Sequence, residues 1–551
     1  MSNQTPREVL SYIQEAYHKY YDSAFWVKDA PLMRERRALL NQPGLTAQDI
    51  MLESVMPYPS VTSIKDACDQ AGLSDGVAAA LAHAIFDGDE NFKLRQHQAE
   101  SLVTSLKPGS SEDRNVVVTS GTGSGKTECF LLPIIARVLN ERLGKEQPAI
   151  NAWWEKQSKS KESWAGLRPD VANGVRPAMR AMLLYPTNAL VEDQVSRLRQ
   201  AAFRAKASDG HPMFYFGRYT GATPGGMYFP PDSLLEKDAK RINDVARQIT
   251  EIDKEAKDLA KVGFDVRAQF SDPRCGEMMT RWDMIDTPPD ILITNVSMLN
   301  IMLLRENEAP IFEQTRNWLE ESPDNVFSLV VDELHGYRGS QGTEVALVVR
   351  NLLDRLGLPK DSEQLRCLGT SASLDGEEGR EYLEQFFGVD RKTFSVFEGL
   401  PLEPEEQLPL DSAAIENETA AVLKGDTAAI ERVIDKFSPR RSIGTACKVA
   451  GLNEKGRIIP ARLPDVSKAL LGDGFSQDAV DAVFVAAHHE KSESHENPKP
   501  SFRAHMFLRQ IQGMWACSNP NCEHIDDEYR YDERKIGRLY KNPALKCKCG
   551  S

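Results

Sequence analysis

Residues 115–127 read NVVVTSGTGSGKT and decide the fold of the region around them. The β-branched run from Val116 to Val118 predicts a buried strand, and residues 128–139 have the apolar spacing of a helix. Between these elements, glycines let backbone N–H groups turn toward a bound phosphate at the N-terminus of the helix. The stretch therefore predicts a strand, a phosphate-binding loop and a helix in direct succession.

This loop predicts a nucleotide site with ATP and Mg²⁺ as its ligands. Lys126 would bring a positive charge to the β- and γ-phosphates, and Thr127 would bind Mg²⁺ through its hydroxyl. The residues expected at the phosphates are Gly121, Thr122, Gly123, Ser124, Gly125, Lys126 and Thr127. Because so short a pattern also arises by chance, a second motif on another strand is needed to support it.

Residues 328–335, SLVVDELH, provide that second motif. Asp332 follows an apolar run and would hold Mg²⁺ through water, while Glu333 would orient and polarise the attacking water. The alternative is a solvated acidic turn after a strand. With both motifs present, the candidate catalytic residues are Lys126, Asp332 and Glu333.

Between residues 91 and 387, short apolar runs alternate with helix-compatible segments, which is typical of a parallel α/β sheet. Two stretches interrupt this alternation and are interpreted as insertions: residues 144–176, and residues 225–290 with a charged helix predicted over 233–261. The predicted strands are 115–119, 181–185, 214–218, 291–294, 327–331 and 366–369.

The acidic box Asp332-Glu333-Leu334-His335 resembles that of the superfamily 2 DEAD/DEAH-box helicases. The resemblance implies an α/β, RecA-like P-loop fold for residues 91–387, as the first of the two motor domains of that family. It also implies that Gln98, in the run LRQHQ at 94–98, pairs with the adenine of ATP. An ordinary helix start is the alternative for that run.

Further short motifs follow in the family's order. The residues that the resemblance places against the backbone of a single strand are Pro186, Thr187, Asn188, Thr220, Gly221, Thr294 and Asn295. The run GTSAS at 369–373 is similar to motif III, and the residues implied to couple the two sites are His335, Ser371, Ala372 and Ser373. Each motif is weak alone, because Pro-Thr and Thr-Gly are common in turns and a Ser/Thr cluster can cap a helix.

Charge and hydropathy restrict the partners. With 67 basic and 81 acidic residues, the net charge is 67 − 81 = −14, so any contact with nucleic acid is expected in a local groove. No apolar run approaches the roughly 20 residues that span a bilayer, and the N-terminus lacks a basic region followed by an apolar stretch. We therefore expect no membrane association and a cytoplasmic location.

Four of the nine cysteines crowd the last 35 residues: Cys517, Cys522, Cys547 and Cys549. Four thiolates can close a tetrahedral Zn²⁺ site, so residues 501–551 are predicted to form a small zinc module. Free structural thiols are the alternative. The module, which looks incomplete, resembles the cysteine-rich insertion of the large bacterial Lhr-like helicases.

Two accessory regions flank the predicted ATPase domain. Residues 1–90 are predicted to be helical, and residues 388–500 offer amphipathic helix candidates such as 427–436 and 476–487. Neither region carries a readable chemical motif.

The sequence thus predicts an enzyme, an ATP-dependent helicase or translocase subunit acting on single-stranded or partly duplex nucleic acid, with DNA favoured. The family's second RecA-like domain supplies an arginine finger, but no matching motif follows Ser373. That domain is expected from a partner chain or from a further C-terminal part. The alternative is a non-hydrolysing scaffold that binds ATP and nucleic acid within a DNA repair or antiviral defence complex.

Overall fold

A computed structural model gives the architecture of most of the chain. The residues that it describes are 5–42, 44–121, 123–155, 164–169, 175–207, 210–225, 236–259, 264–371, 374, 376–402, 406–454, 458–490, 499–509, 513–543 and 545–551. Within these ranges, no helix is both long enough and apolar enough to cross a bilayer.

The described residues form short strands and longer helices in alternation. The strands are β1 Met51–Val55, β2 Ser60–Ser63, β3 Lys93–Arg95, β4 Asn115–Thr119, β5 Ala181–Tyr185, β6 Phe216–Tyr219, β7 Ile291–Asn295, β8 Phe327–Val331, β9 Leu365–Ser371, β10 Phe394–Glu398, β11 Ala461–Arg462, β12 Ser501–His505, β13 Trp515–Ala516 and β14 Leu539–Tyr540. The α-helices are α1 Pro6–Ala24, α2 Ala30–Leu40, α3 Ile64–Gln70, α4 Asp75–Ile85, α5 Gln96–Leu106, α6 Lys126–Arg142, α7 Asn188–Arg204, α8 Glu236–Leu259, α9 Phe264–Arg267, α10 Arg281–Asp286, α11 Val296–Leu304, α12 Ala309–Glu321, α13 Gly339–Arg355, α14 Gly376–Phe387, α15 Ser412–Leu423, α16 Thr427–Phe437, α17 Pro439–Gly451, α18 Leu463–Leu471 and α19 Gln477–His489.

The chain divides into two compact units. The sheet unit is Tyr58–Leu400, and the helical unit combines Met1–Pro57 with Pro401–Ser551. The chain passes between the units after Pro57 and after Leu400, whereas the predicted domain boundaries are at residues 90 and 387. The reason is packing: α3 and α4 bury apolar side chains against α5, α6 and α7, and β10 adds an edge strand after α14.

A seven-stranded parallel sheet is the centre of the sheet unit, in the order β10-β4-β9-β8-β5-β7-β6. This confirms the predicted α/β class. Strands β4, β5 and β8 have the predicted bounds, and β6, β7 and β9 lie within two residues of theirs at each end. The edge strand β10 was not predicted, because its mixed, half-buried sequence FSVFE lacks the apolar run of a central strand.

The two faces of the sheet bury different side chains. Val116 and Val118 of β4 pack with α5, α6 and α7 on one face, whereas Val117 packs on the opposite face. Successive side chains of a strand point to opposite faces, so the pattern follows from the period of two. The face that carries α6 is the face on which the phosphate-binding loop opens into its helix.

The two predicted insertions pack against each other and belong to the core. The indole nitrogen of Trp153 donates to Asp283 Oδ1 at 2.9 Å, and Trp154 is buried in one cluster with Ile242 and Ile249 of α8. Burying two tryptophans contributes several kcal/mol, by roughly 25 cal/mol per Å² of apolar surface. The insertions are therefore fixed parts of the unit in their described portions.

Three arginines converge on one buried carboxylate at the amino-terminal edge of the sheet. Asp290 pairs with Arg142 of α6, with Arg168 of the first insertion at 3.1 Å and with Arg180 before β5 at 3.4 Å. Its Oδ2 also accepts from the backbone nitrogen of Tyr215 at 2.8 Å. Burial alone would raise the pKa of Asp290, but the guanidinium groups together hold it below its ordinary value.

In the helical unit, helices α15–α19 surround a small core, and β1 pairs with β11 and β12 in an antiparallel sheet. The sequence predicts only helix over residues 1–90, yet β1 and β2 form there. The partners of β1 lie more than 400 residues further along the chain, so local periodicity does not reveal the pairing.

The cysteine-rich segment at the C-terminus is joined to α2. Glu35 of α2 accepts from the backbone nitrogen of Leu539 at 2.9 Å and pairs with Arg534 at 2.5 Å.

We predict that Asp290→Asn lowers the free energy of unfolding of the sheet unit by about 3–5 kcal/mol, because it leaves the buried guanidinium groups of Arg142 and Arg168 without their counter-charge. Arg180 keeps its ion pair with Glu141 at 2.6 Å. Urea unfolding followed by tryptophan fluorescence measures the change. The matched control is Asp244→Asn, whose side chain is half exposed beside Arg247 and should change stability by less than about 1 kcal/mol. Equal stability of the two variants would contradict the prediction.

Candidate nucleotide and nucleic-acid site

The loop after β4 turns through two left-handed glycines, Gly123 at φ 81° and Gly125 at φ 75°. Residues with a Cβ rarely adopt this conformation, so the glycines are what the turn requires. Lys126 opens α6 and its Nζ donates to the carbonyl oxygen of Ser120 at 3.1 Å. No described side chain caps the first turn of α6, and its N–H groups can therefore receive a phosphate.

The start of α5 braces this loop. Arg95 donates to the carbonyl of Gly123 at 2.9 Å, and His97 Nε2 lies 2.8 Å from the carbonyl of Ser124. Burial lowers the pKa of His97, which favours the neutral ring with Nε2–H as the donor. Gln98 is buried, donates to Gly125 O at 3.2 Å and accepts from the backbone of Arg95 at 3.0 Å. Its adenine contact stays a prediction.

The acidic box follows β8, two strands from the loop in the sheet. Asp332 Oδ1 accepts from the backbone nitrogen of Glu333 at 3.0 Å and from the hydroxyl of Thr370 on β9. Burial, with the charge of Glu333 adding to it, raises the pKa of Asp332 above its ordinary value. Glu333 has a left-handed backbone, φ 54°, and its Oε2 lies 3.1 Å from Nδ1 of His335.

The motif III segment approaches the acidic box through a residue that the sequence did not single out. The hydroxyl of Thr370 reaches Asp332, whereas Ser371 is fully buried and its carbonyl accepts from Ser120 N at 3.4 Å. The predicted residues Thr122, Ala372 and Ser373 lie outside the described part of the chain. The coupling roles of His335 and Ser371 stay predictions.

The residues predicted to contact a nucleic-acid strand lie at the carboxyl ends of β5, β7 and β6. Pro186, Thr187 and Asn188 are exposed, and Asn295 donates to Asn188 Oδ1 at 2.6 Å. The hydroxyl of Thr294 is fully buried and donates to the carbonyl of Tyr219 at 2.7 Å.

A hydrogen bond between a backbone nitrogen and a side-chain hydroxyl stabilises the turn after β6. The backbone nitrogen of Thr220 donates to Thr223 Oγ1 at 3.0 Å, and the Thr220 side chain is only 2% exposed. The neighbouring Gly221 is exposed. A nucleic-acid strand at this edge would therefore contact Gly221 and the exposed segment 186–188 directly. The buried residues Thr220 and Thr294 instead make hydrogen bonds within the loops. The strand contacts themselves stay predictions.

Two side chains near the acidic box are not evident from the sequence motifs. Thr370 lies inside the quoted GTSAS run, but its pairing with Asp332 depends on the register of β9 against β8. Tyr185 ends β5, is fully buried and leaves its hydroxyl without a partner among the described residues. Only the parallel register reveals that it lies beside Asp332.

In the helical unit, the four predicted cysteines come together. All four sulfur atoms lie within 4.8 Å of one another, with Cys517 and Cys549 at 3.5 Å and Cys522 and Cys547 at 3.6 Å. A tetrahedral zinc ion with Zn–S bonds near 2.3 Å sets sulfur atoms about 3.8 Å apart. A Cβ at Gly537 would meet the side chain of Cys517 at 2.6 Å, so glycine is required there. The donor set and the spacing fit zinc.

Comparison with known proteins finds similarity to helicases. The DEAD/DEAH box helicase family matches residues 95–212. The chain is 29% identical, over 99% of its length, to the Druantia protein DruE of Escherichia coli, of which it covers 32%. It is 24% identical over 54% of its length to the uncharacterized ATP-dependent helicase MJ1574 of Methanocaldococcus jannaschii, of which it covers 28%. The chain thus spans about a third of the length of these relatives.

Among solved structures, the DUF1998 helicase MrfA bound to DNA and AMPPNP aligns with 71% of this chain and 38% of that one, at 17% identity and a TM-score of 0.34. A likeness of that degree supports no inference. The finer resemblance to the Lhr-like helicases stays a prediction. The family match over residues 95–212 and the relatives agree with the loop and acidic box on one parallel sheet, and together they support a superfamily 2 helicase domain of the DEAD/DEAH-box type in this part of the chain.

Proposed function

We propose that the protein is a subunit of an ATP-dependent helicase or translocase that acts on nucleic acid, with DNA favoured. The observation that carries the proposal is the meeting of two sets of side chains at one edge of the sheet. Lys126 and the pair Asp332 and Glu333 follow β4 and β8, and the exposed segment 186–188 follows β5, the neighbour of β8. The nucleotide and the nucleic-acid strand would bind next to each other at the carboxyl ends of the β-strands.

At the nucleotide half, the family implies ATP and Mg²⁺. Lys126 would bind the β- and γ-phosphates, and Asp332 would hold the hydrated metal ion. Glu333 would orient a water molecule toward the γ-phosphorus and accept its proton as the bond to ADP breaks. Although burial raises the pKa of Asp332, a divalent cation beside it favours the charged carboxylate.

The residues expected to bind the nucleic-acid strand would contact its phosphate and sugar groups. Exposed loop residues and backbone N–H groups carry no base-reading code, so we expect weak sequence preference and a strong salt dependence. The chain as a whole is acidic, which restricts this attraction to the local edge.

We further propose that full turnover requires a second RecA-like domain, from a longer chain or from a partner. Such a domain would bring an arginine finger, which is worth orders of magnitude in rate. The length of DruE, about three times that of this chain, supports the proposal. Similarity to DruE over 99% of the chain supports antiviral defence as the setting.

For the four-cysteine cluster we propose a structural zinc ion. The site lies next to the Glu35 and Arg534 pair that joins α2 to this segment. The segment buries only a small apolar cluster, and a metal would supply the stability that this core lacks.

We predict that Glu333→Gln retains nucleotide binding and lowers ATP turnover at least about 100-fold, because the amide cannot accept the proton of the attacking water. Phosphate release in the presence of single-stranded DNA and of the longer chain or partner that supplies the second RecA-like domain measures turnover, and a fluorescent ATP analogue measures binding. Glu344→Gln makes the same change at an exposed position of α13 and should leave both unchanged. Turnover by Glu333→Gln at the wild-type rate would refute the role assigned to this residue.

We predict about one zinc per chain by elemental analysis, and its loss in Cys517→Ser and Cys547→Ser, because a hydroxyl does not replace a thiolate ligand. The melting temperature of the helical unit should fall in both variants. Cys447→Ala, at a buried cysteine of the same unit outside the cluster, should retain the metal. A chain without zinc after purification in zinc-supplemented medium would contradict the proposal.

A further inference from the structure

The hydroxyl of Tyr185 is a buried donor without a partner. The side chain is fully buried at the carboxyl end of β5, and none of the described residues accepts a hydrogen bond from it. Leaving a buried donor unpaired costs stability, and native structures rarely do so without cause. The burial also raises the pKa of Tyr185, so the group remains a donor.

The strand register places this hydroxyl beside the acidic box. In the parallel pair of β5 and β8, Leu184 lies opposite Val331, and Asp332 N donates to Leu184 O at 3.2 Å. The next pair is therefore Tyr185 and Asp332. Paired residues of adjacent strands project to the same face, and the strands lie about 4.8 Å apart. Tyr185 shares its hydrophobic cluster with Val330, which lies two residues before Asp332 on that face.

The carboxylate has one oxygen available on that face. Oδ1 of Asp332 is held by the backbone nitrogen of Glu333 and by Thr370, which belongs to β9 on the far side from β5. Within the described part of the chain, Oδ2 accepts no hydrogen bond. Thr370 therefore holds one oxygen from the β9 side, and the phenol of Tyr185 lies on the β5 side of the same carboxylate.

We propose that Tyr185 is a positioning residue: its hydroxyl donates to Oδ2 of Asp332 when MgATP is bound and holds the carboxylate in the orientation that binds the metal. The inference rests on the proposed nucleotide site and extends it by one residue. Among the described residues the hydroxyl has no partner. Hydrogen bonds to a charged acceptor are stronger than those between neutral groups.

The same residue connects the two halves of the edge. On its other side Tyr185 pairs with Asn295 of β7, which donates to Asn188 in the exposed segment. Thr370, Asp332, Tyr185 and Asn295 thus form one row across four adjacent strands. A nucleic-acid strand bound at residues 186–188 would affect the metal site through the contacts between these four residues.

The experiment compares Tyr185→Phe with wild type in the full chain. A fluorescent ATP analogue is titrated with Mg²⁺, and the concentration that gives half-maximal binding is recorded. We expect that concentration to rise about tenfold in Tyr185→Phe, because one hydrogen bond to a charged group is lost. The melting temperature without nucleotide should stay equal or rise, since the removed hydroxyl has no partner there.

Tyr215→Phe is the matched control. Tyr215 is also buried with an unpaired hydroxyl in the sheet unit, but it lies before β6 at the opposite edge of the sheet. This variant should match Tyr185→Phe in stability and wild type in its Mg²⁺ requirement.

An unchanged Mg²⁺ requirement in Tyr185→Phe, with analogue binding lost in Lys126→Ala, would overturn the Tyr185 assignment alone. A fall of several degrees in the melting temperature of Tyr185→Phe would also overturn it, because the hydroxyl would then be structural. Equal analogue binding by Lys126→Ala and wild type would overturn the proposed function and this inference together.

Discussion

Parallel pairing of seven strands brings their carboxyl ends to one edge of the sheet, and the chemistry of the domain depends on that constraint. The loop after β4, the acidic box after β8 and the exposed segment after β5 are far apart in sequence. The register makes them neighbours, because each strand runs in the same direction and ends at the same level. The packing of α6 and α7 on one face then fixes the side on which the loop opens.

Electrostatics at that edge favour a cation. Asp332 is 9% exposed, and burial raises its pKa, which disfavours the charged carboxylate although Lys126 opposes the effect. A bound divalent ion would relieve this cost. At the opposite edge, Asp290 lies among three arginines and its pKa is held low. The sheet thus carries one carboxylate among guanidinium groups at the edge that secures the first insertion, and one whose charged form is disfavoured by burial at the edge that would bind MgATP.

Much of the central sheet follows from local sequence, since buried parallel strands are apolar runs such as VVV in β4 and SLVV in β8. The loop and acidic box were identified by residue type and spacing. Other features depend on partners distant in the chain: β10 is a half-buried edge strand, β1 pairs with residues beyond 460, and Thr370 and Tyr185 gain their importance only from register. The four cysteines were predicted as a set, but their convergence is a property of the fold.

The central claim is that nucleotide and nucleic acid bind to adjacent parts of one sheet edge and affect each other. The most direct measurement is the affinity for a non-hydrolysable ATP analogue with and without saturating oligo-deoxythymidine, in wild type and in Lys126→Ala. The account predicts that the strand changes the affinity of wild type by at least about fivefold, a coupling of roughly 1 kcal/mol, and that Lys126→Ala binds the analogue weakly in both conditions. Equal affinity with and without the strand, or binding that does not depend on Lys126, would contradict it.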